Sequence, residues 1–168
     1  MNSLIAHRFL VGEGLNEPER QEVLRLARRL RAMALAGHPI APLAGRHVAI
    51  VAKSDSPAVQ IVEEAAGLLG ARVSHIDRLA LDNGRTRATL ARLLASLYDA
   101  VDCTDAPDGS ALALERLCDL PTFLGLGGER HPIRELLPAL NDESATHAPS
   151  ERADLVSLIQ AVLVECIC

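Results

Sequence analysis

The chain has 168 residues, 49% of them apolar and 2% aromatic, with a formal net charge of −5. That length suits one domain with a real core, and with no Trp, two Phe and one Tyr the core must be Leu, Ala, Val and Ile. Mixed acidic and basic residues argue against a nucleic-acid footprint, scarce aromatic rings argue against base stacking, and the apolar runs are too short to span a bilayer.

In chain order, Asn16-Glu17-Pro18-Glu19 opens a helix: Asn16 caps, Pro18 fits the first turn and Glu19 completes a capping box. Val23, Leu26, Ala27, Leu30, Met33 and Ala34 fall on one face, and Gly37 ends it. His47-Val48-Ala49-Ile50-Val51 is a continuous apolar run, as expected of a buried parallel strand. A helix is predicted from Pro57 to Leu69, a strand over Arg72–Ile76, and a helix over Thr86–Leu97 after a polar loop at Asp82–Arg85. A short strand follows at Asp99–Cys103, then a helix over Ser110–Cys118, a strand over Pro121–Leu124, and a helix starting near His131-Pro132. The alternation implies an α/β fold, a three-layer sandwich with a central parallel sheet flanked by helices. Residues 141–150 read as a linker. Pro149–Arg152 then starts an apolar helix, with Leu155, Leu158, Ile159, Val162, Leu163 and Ile167 in register, that must bury its face on this domain or on a partner.

Ligands in open α/β sheets sit beyond the carboxyl ends of the strands. Ser54–Ser56, Thr104 and the Gly125–His131 loop are therefore expected to converge on one crevice. The first corner, Ala52-Lys53-Ser54-Asp55-Ser56-Pro57-Ala58-Val59, has the strand–turn–helix form of an anion site. It looks disarmed: Pro57 has no N–H to give, Ala58 and Val59 carry no charge, and Asp55 carries a negative one.

Several segments in this order resemble the carbamoyl-phosphate-binding half of the aspartate/ornithine carbamoyltransferases, from about His7 to Leu140. They are His7-Arg8-Phe9-Leu10 with the long helix after it, Leu43-Ala44-Gly45-Arg46-His47-Val48-Ala49, Glu63-x-Ala65-Ala66-x-Leu68-Leu69-Gly70-Ala71, Arg92-x-Leu94-x-x-x-Tyr98-Asp99-Ala100-Val101, and Gly125-Leu126-x-x-x-x-His131-Pro132. The last two look more like the ornithine branch. The resemblance implies a domain over residues 1–140, the linker at 141–150, and a helix over 151–168 that completes the same domain. It also implies what has been lost. The family's signature at the first corner is serine-threonine-arginine-threonine-arginine; here it reads Asp55-Ser56-Pro57-Ala58-Val59. The family has an arginine after the third strand, where Thr104 stands. Its histidine-proline-x-glutamine motif reads His131-Pro132-Ile133-Arg134. A hydrogen bond to a charged group contributes roughly 1.5–3 kcal/mol, so losing three arginines removes about 5–9 kcal/mol of binding. The family's second domain, which binds the amino-acid nucleophile, has no counterpart here.

The candidate ligand or anion-binding residues are Lys53, Asp55, Ser56, Thr104, His131 and Arg134, each with a plainer reading beside it. His131 either polarises a carbonyl, as the resemblance implies, or caps a helix beside Pro132. Lys53 either attracts an anion or is a solvated lysine. Arg134 either binds an anion or pairs with a carboxylate such as Glu129 or Glu135. Asp55 and Ser56 read as helix caps, and Gly125, Gly127 and Gly128 as turn residues. Cys103, Cys118, Cys166 and Cys168 form no C-x-x-C pair, and His7, His38, His47, His75 and His147 show no metal spacing, so neither metal nor cofactor is expected. No basic segment precedes an apolar stretch at Met1–Arg8, which points to a cytoplasmic protein. The expected function is a catalytically inactive carbamoyltransferase-like protein acting by assembly, as a homotrimer or as partner of a carbamoyltransferase. The alternatives are a small-molecule binding module with an altered ligand, and residual carbamoyltransferase activity with the amino-acid domain supplied in trans.

Overall fold

The computed structural model describes residues 3–10, 13–38, 40–53, 55–77, 84–104, 106, 109–141 and 150–168. Helices α1 (Ser3–Leu10) and α2 (Glu17–Leu35) precede β1 (His47–Ala52), α3 (Pro57–Leu68), β2 (Arg72–Asp77), α4 (Gly84–Leu97) and β3 (Ala100–Cys103). Then come α5 (Ser110–Cys118), β4 (Thr122–Phe123), a 3-10 helix (Pro132–Leu136), α6 (Leu137–Asn141) and α7 (Glu151–Ile167). Of the polar loop expected at Asp82–Arg85, Asp82 and Asn83 lie outside the described residues and Gly84 and Arg85 already belong to α4; most of the 141–150 linker also lies outside them.

The four strands form one parallel sheet in the order β2-β1-β3-β4. β1 sits inside it, which is why its sequence is apolar from Val48 to Ala52 rather than alternating. Its side chains divide by parity: Val48 and Ile50 join the core on one face, Ala49 and Val51 the core on the other. The first face is covered by α1, α2, α3 and α7, the second by α4 and α5. This is the three-layer sandwich expected from the sequence.

Local chemistry sets the helix starts. The Asn16 side chain accepts the Glu19 N–H at 2.9 Å, and the Glu19 carboxylate accepts the Asn16 N–H at 2.8 Å, the reciprocal box foreseen from the sequence. The Ser56 hydroxyl accepts the Val59 N–H at 3.3 Å and caps α3, with Pro57 in the first turn. The Ser150 hydroxyl does the same for α7.

Two elements differ from expectation. Helix α1 was not anticipated; it buries Ile5, Ala6 and Phe9 against the first core. Helix α7 was expected to bury one face, yet Val156, Ala161 and Cys166 are buried as well as the predicted stripe. It packs on α1, α2 and α3 of its own chain and is apolar nearly all round, the pattern of a central helix. Five fully buried side chains on it (Leu155, Leu158, Ile159, Val162, Leu163), at about 2 kcal/mol each, contribute on the order of 10 kcal/mol. That rivals the whole net stability of a typical domain, so α7 is integral to the fold. Arg31 of α2 and the buried Asp154 of α7 make an ion pair at 2.9 Å, and Arg152 of α7 pairs with Glu64 of α3 at 2.6 Å.

Candidate functional site

A crevice of about 1220 Å³ opens at the carboxyl ends of β3 and β4. Its walls come from α1, the first turns of α3 and α7, the end of β3, and the loop through Gly125, Gly127 and Gly128 into the 3-10 helix. Of the residues singled out from the sequence, Ser56, Thr104, His131 and Arg134 line it together, whereas Lys53 and Asp55 do not. Lys53 is exposed, and Asp55 accepts a hydrogen bond from the Gln60 side chain at 3.2 Å rather than capping α3. Ser54 lies outside the described residues.

The polar groups around the crevice are largely committed to the protein itself. Ser56 spends an oxygen lone pair on the α3 cap, and Pro57 withholds an N–H. Thr104 donates its hydroxyl to the buried carboxylate of Asp102 at 2.8 Å, and the same carboxylate accepts the Leu126 N–H at 3.0 Å. Arg134 donates through Nε to the Gly128 carbonyl at 3.0 Å and pairs through its terminal nitrogen with Glu151 at 2.9 Å. A carboxylate partner for Arg134 was foreseen, but Glu129 and Glu135 were the candidates; the helix that folds back supplies Glu151 instead.

His131 is the N-cap of the 3-10 helix. Its Nδ1 accepts the Ile133 N–H at 3.2 Å, which places the ring proton of the neutral imidazole on Nε2. That Nε2 is buried and has no hydrogen-bond partner among the described residues. Burial, reinforced by the nearby Arg134 guanidinium, pulls the imidazole pKa down to about 4. His131 is therefore a neutral donor at physiological pH. Phe9, on the unanticipated α1, stands edge-on to the imidazole with ring centroids 4.7 Å apart.

Gly127 brings the glycine loop onto α3. A Cβ there would lie 2.1 Å from the Ala58 carbonyl oxygen and 2.4 Å from Ile61 Cγ2, so the close approach demands glycine. Of the four charged lining residues Glu129, Arg130, Glu151 and Arg152, sequence reasoning missed the last two. Glu129 and Arg130 were readable as neighbours of His131. Glu151 and Arg152 were not, because they arrive only when α7 packs back. Among the described residues no group of His, Cys, Asp and Glu is arranged to hold a metal, and no helix is long and apolar enough to cross a membrane.

No protein-family model matches the chain. Solved structures do. Ornithine carbamoyltransferase from Pyrococcus furiosus aligns over 74% of this chain and 41% of its own, at 23% identity and a TM-score of 0.65. Aspartate transcarbamoylase from Trypanosoma cruzi, solved with phosphate, aligns over 76% and 41% at 21% identity and a TM-score of 0.62. The catalytic subunit of M. jannaschii aspartate transcarbamoylase aligns over 76% and 43%, also at 21% identity and 0.62. The chain thus spans about two-fifths of the length of these enzymes. Across that span it has the fold of the ornithine and aspartate carbamoyltransferases.

Proposed function

We propose that this protein is a catalytically inactive member of the carbamoyltransferase fold group that acts by assembly, as a homotrimer or as partner of a carbamoyltransferase. The observation that carries this is the state of the first corner. Its hydroxyl caps α3, its next residue is a proline, and Lys53 and Asp55 stand outside the crevice. Of the three guanidinium groups that line the crevice, Arg134 and Arg152 are paired with Glu151 and Glu64, and Arg130 is exposed to solvent. A doubly charged phosphate ester needs a convergent set of free cations, and each one already paired must first give up its partner. Only eight residues, 142–149, separate the end of α6 from Ser150, which leaves no room there for a second α/β domain. Residues 1–140 and 151–168 act on this reading as one folded unit, joined by the 141–150 linker.

Calorimetry with carbamoyl phosphate tests the first half of this reading: no saturable heat is expected, and tight binding overturns it. Appearance of citrulline or carbamoyl-aspartate from the purified protein overturns it equally. Light scattering tests the second half: a trimer supports homo-assembly, and a persistent monomer without a carbamoyltransferase partner removes it. A second reading, a binding module for a different small molecule, is favoured by one observation. The crevice is large, and in its wall His131 keeps a buried Nε2 donor that has no partner among the described residues.

A further inference from the structure

The outer surface of α4 and α5 carries apolar and charged groups that the fold does not use. Both helices cover the second face of the sheet and pack against each other. Because the sheet is parallel, each runs from the carboxyl end of one strand to the amino end of the next. They point the same way, and their last turns lie abreast at the end of the domain opposite the crevice. Leucines surface there. Leu93 and Leu97 stand one turn apart on α4 and are 51% and 52% exposed, and Leu117 in the last turn of α5 is 51% exposed. Leu94, Leu114 and Cys118 make the core contacts of these same turns, so the outer leucines are surplus to packing. A group of half-exposed leucines marks a surface that another molecule covers.

The charges say what kind of molecule. The sequence of α4 holds three arginines and no acid. Arg92, next to Leu93, and Arg116, next to Leu117, are exposed and have no ion pair among the described residues. On α2, by contrast, Arg20 and Arg25 each pair with a glutamate three positions away. The acids close in sequence are committed elsewhere: Asp99 to Arg46 at 2.7 Å and Glu115 to His7 at 3.0 Å. Asp119, just past α5, is an exposed acid at the margin. A second copy seated on the same face would set arginine against arginine across a two-fold axis. An acidic partner meets no such repulsion.

We propose that the α4–α5 surface docks an acidic amphipathic helix of another protein. Its apolar side chains cover Leu93, Leu97 and Leu117, and its carboxylates meet Arg92 and Arg116. The surface lies at the far end of the sheet from the crevice, so the proposal stands apart from the reading of the inactive corner.

Fluorescence anisotropy of the full chain with two labelled, stapled helical peptides tests it. Both peptides carry one leucine face; one has glutamate on its polar face and the other lysine. The glutamate peptide should bind saturably and about tenfold more tightly than the lysine peptide, a preference that shrinks as salt is raised. Leu97→Ser should weaken that binding by roughly fivefold, and Arg92→Gln by roughly two- to fivefold. Both side chains are at the surface, so these variants should melt with the wild type. Leu68→Ser, at a leucine of α3 that is 58% exposed on the other face, should bind as the wild type does. No saturable binding of the glutamate peptide overturns the proposal, as does equal binding of both peptides. Wild-type affinity in both Leu97→Ser and Arg92→Gln overturns it as well. Light scattering that shows a self-associated chain, broken up by Leu97→Ser, would assign the face to a second copy and overturn it too.

Discussion

The carboxylate of Asp102, fully buried at the end of β3, accepts the backbone N–H of Leu126 at 3.0 Å, twenty-four residues away. It thereby ties the glycine loop to the strand beside it, and it takes the Thr104 hydroxyl as a second donor. Charge-assisted bonds of this kind contribute roughly 1.5–3 kcal/mol each. Asp102→Ala orphans both donors and should lower the unfolding free energy by about 3 kcal/mol. Asp102→Asn keeps one amide oxygen and should cost less. Urea denaturation of the two variants checks the order, and equal losses would place the effect elsewhere than in these bonds.

Gly127 offers a steric test of the same loop. A methyl group there meets the Ala58 carbonyl oxygen at 2.1 Å, and Ala58 is in the first turn of α3, where backbone cannot rotate away. Overpacking of this kind costs about 1–3 kcal/mol. Gly127→Ala should fall in that range and should speed amide exchange selectively in the loop and the start of α3. Gly128→Ala, whose nearest contact is the Gly125 carbonyl oxygen at 3.0 Å, should be milder.

The strands and most helices were readable because each carries its own periodic or capping signal. β1 is apolar from Val48 to Ala52, Asn16 and Glu19 form a box, and Ser56-Pro57 marks a start. α1 was not read, since eight residues with buried Ile5, Ala6 and Phe9 carry too short a pattern to separate from loop. The site was partly readable. Strand ends and the glycine loop brought Ser56, Thr104 and His131 to one crevice. The Arg134 partner was misplaced because nearby carboxylates in sequence lost to Glu151, which tertiary packing delivers across the linker. Asp102 passed as an ordinary strand residue, because nothing local marks a carboxylate that will meet a backbone N–H twenty-four positions on.

The Arg31–Asp154 pair sets how α7 docks. Asp154 is 1% exposed, and its Oδ2 finds no hydrogen-bond partner among the described residues. Removing one member of a buried pair leaves the other charge unneutralised, a loss of about 3–5 kcal/mol. Arg31→Met should therefore be strongly destabilising. Arg31→Met with Asp154→Leu should recover most of the loss, because an apolar pair replaces a desolvated ionic one. Thermal melts of the single and double variants decide the point; additive losses would mean that the two side chains do not act as a pair.

The cysteines give a test of packing that needs no variant. Of the four thiols, Cys103, Cys118 and Cys166 are buried and Cys168 is exposed. Burial pushes the Cys166 thiol up to about 12 and raises Cys103 and Cys118 as well. Thiolate is the reactive form, so one thiol per chain should react rapidly with a thiol reagent under native conditions. The other three should react only as fast as the protein opens, and all four at once in denaturant. Rapid native reaction at more than one thiol would mean that α7 or α5 does not pack as described.

The neutrality of His131 makes stability depend on pH in one direction. The folded imidazole titrates at about 4, against 6.5 for an unperturbed histidine. Above pH 6.5 it is neutral in both states and adds no pH dependence. Between 6.5 and 4 the unfolded chain takes up a proton that the folded chain refuses, so stability falls as the pH falls. Below pH 4 both forms are protonated and the loss levels off. The shift corresponds to about 3 kcal/mol across the window. Subtracting the pH profile of His131→Asn, which caps equally well but does not titrate, should isolate that component from the carboxylates. A flat difference between pH 6.5 and 4 would mean that the imidazole is hydrated and charged in the folded protein, with no neutral donor in the crevice.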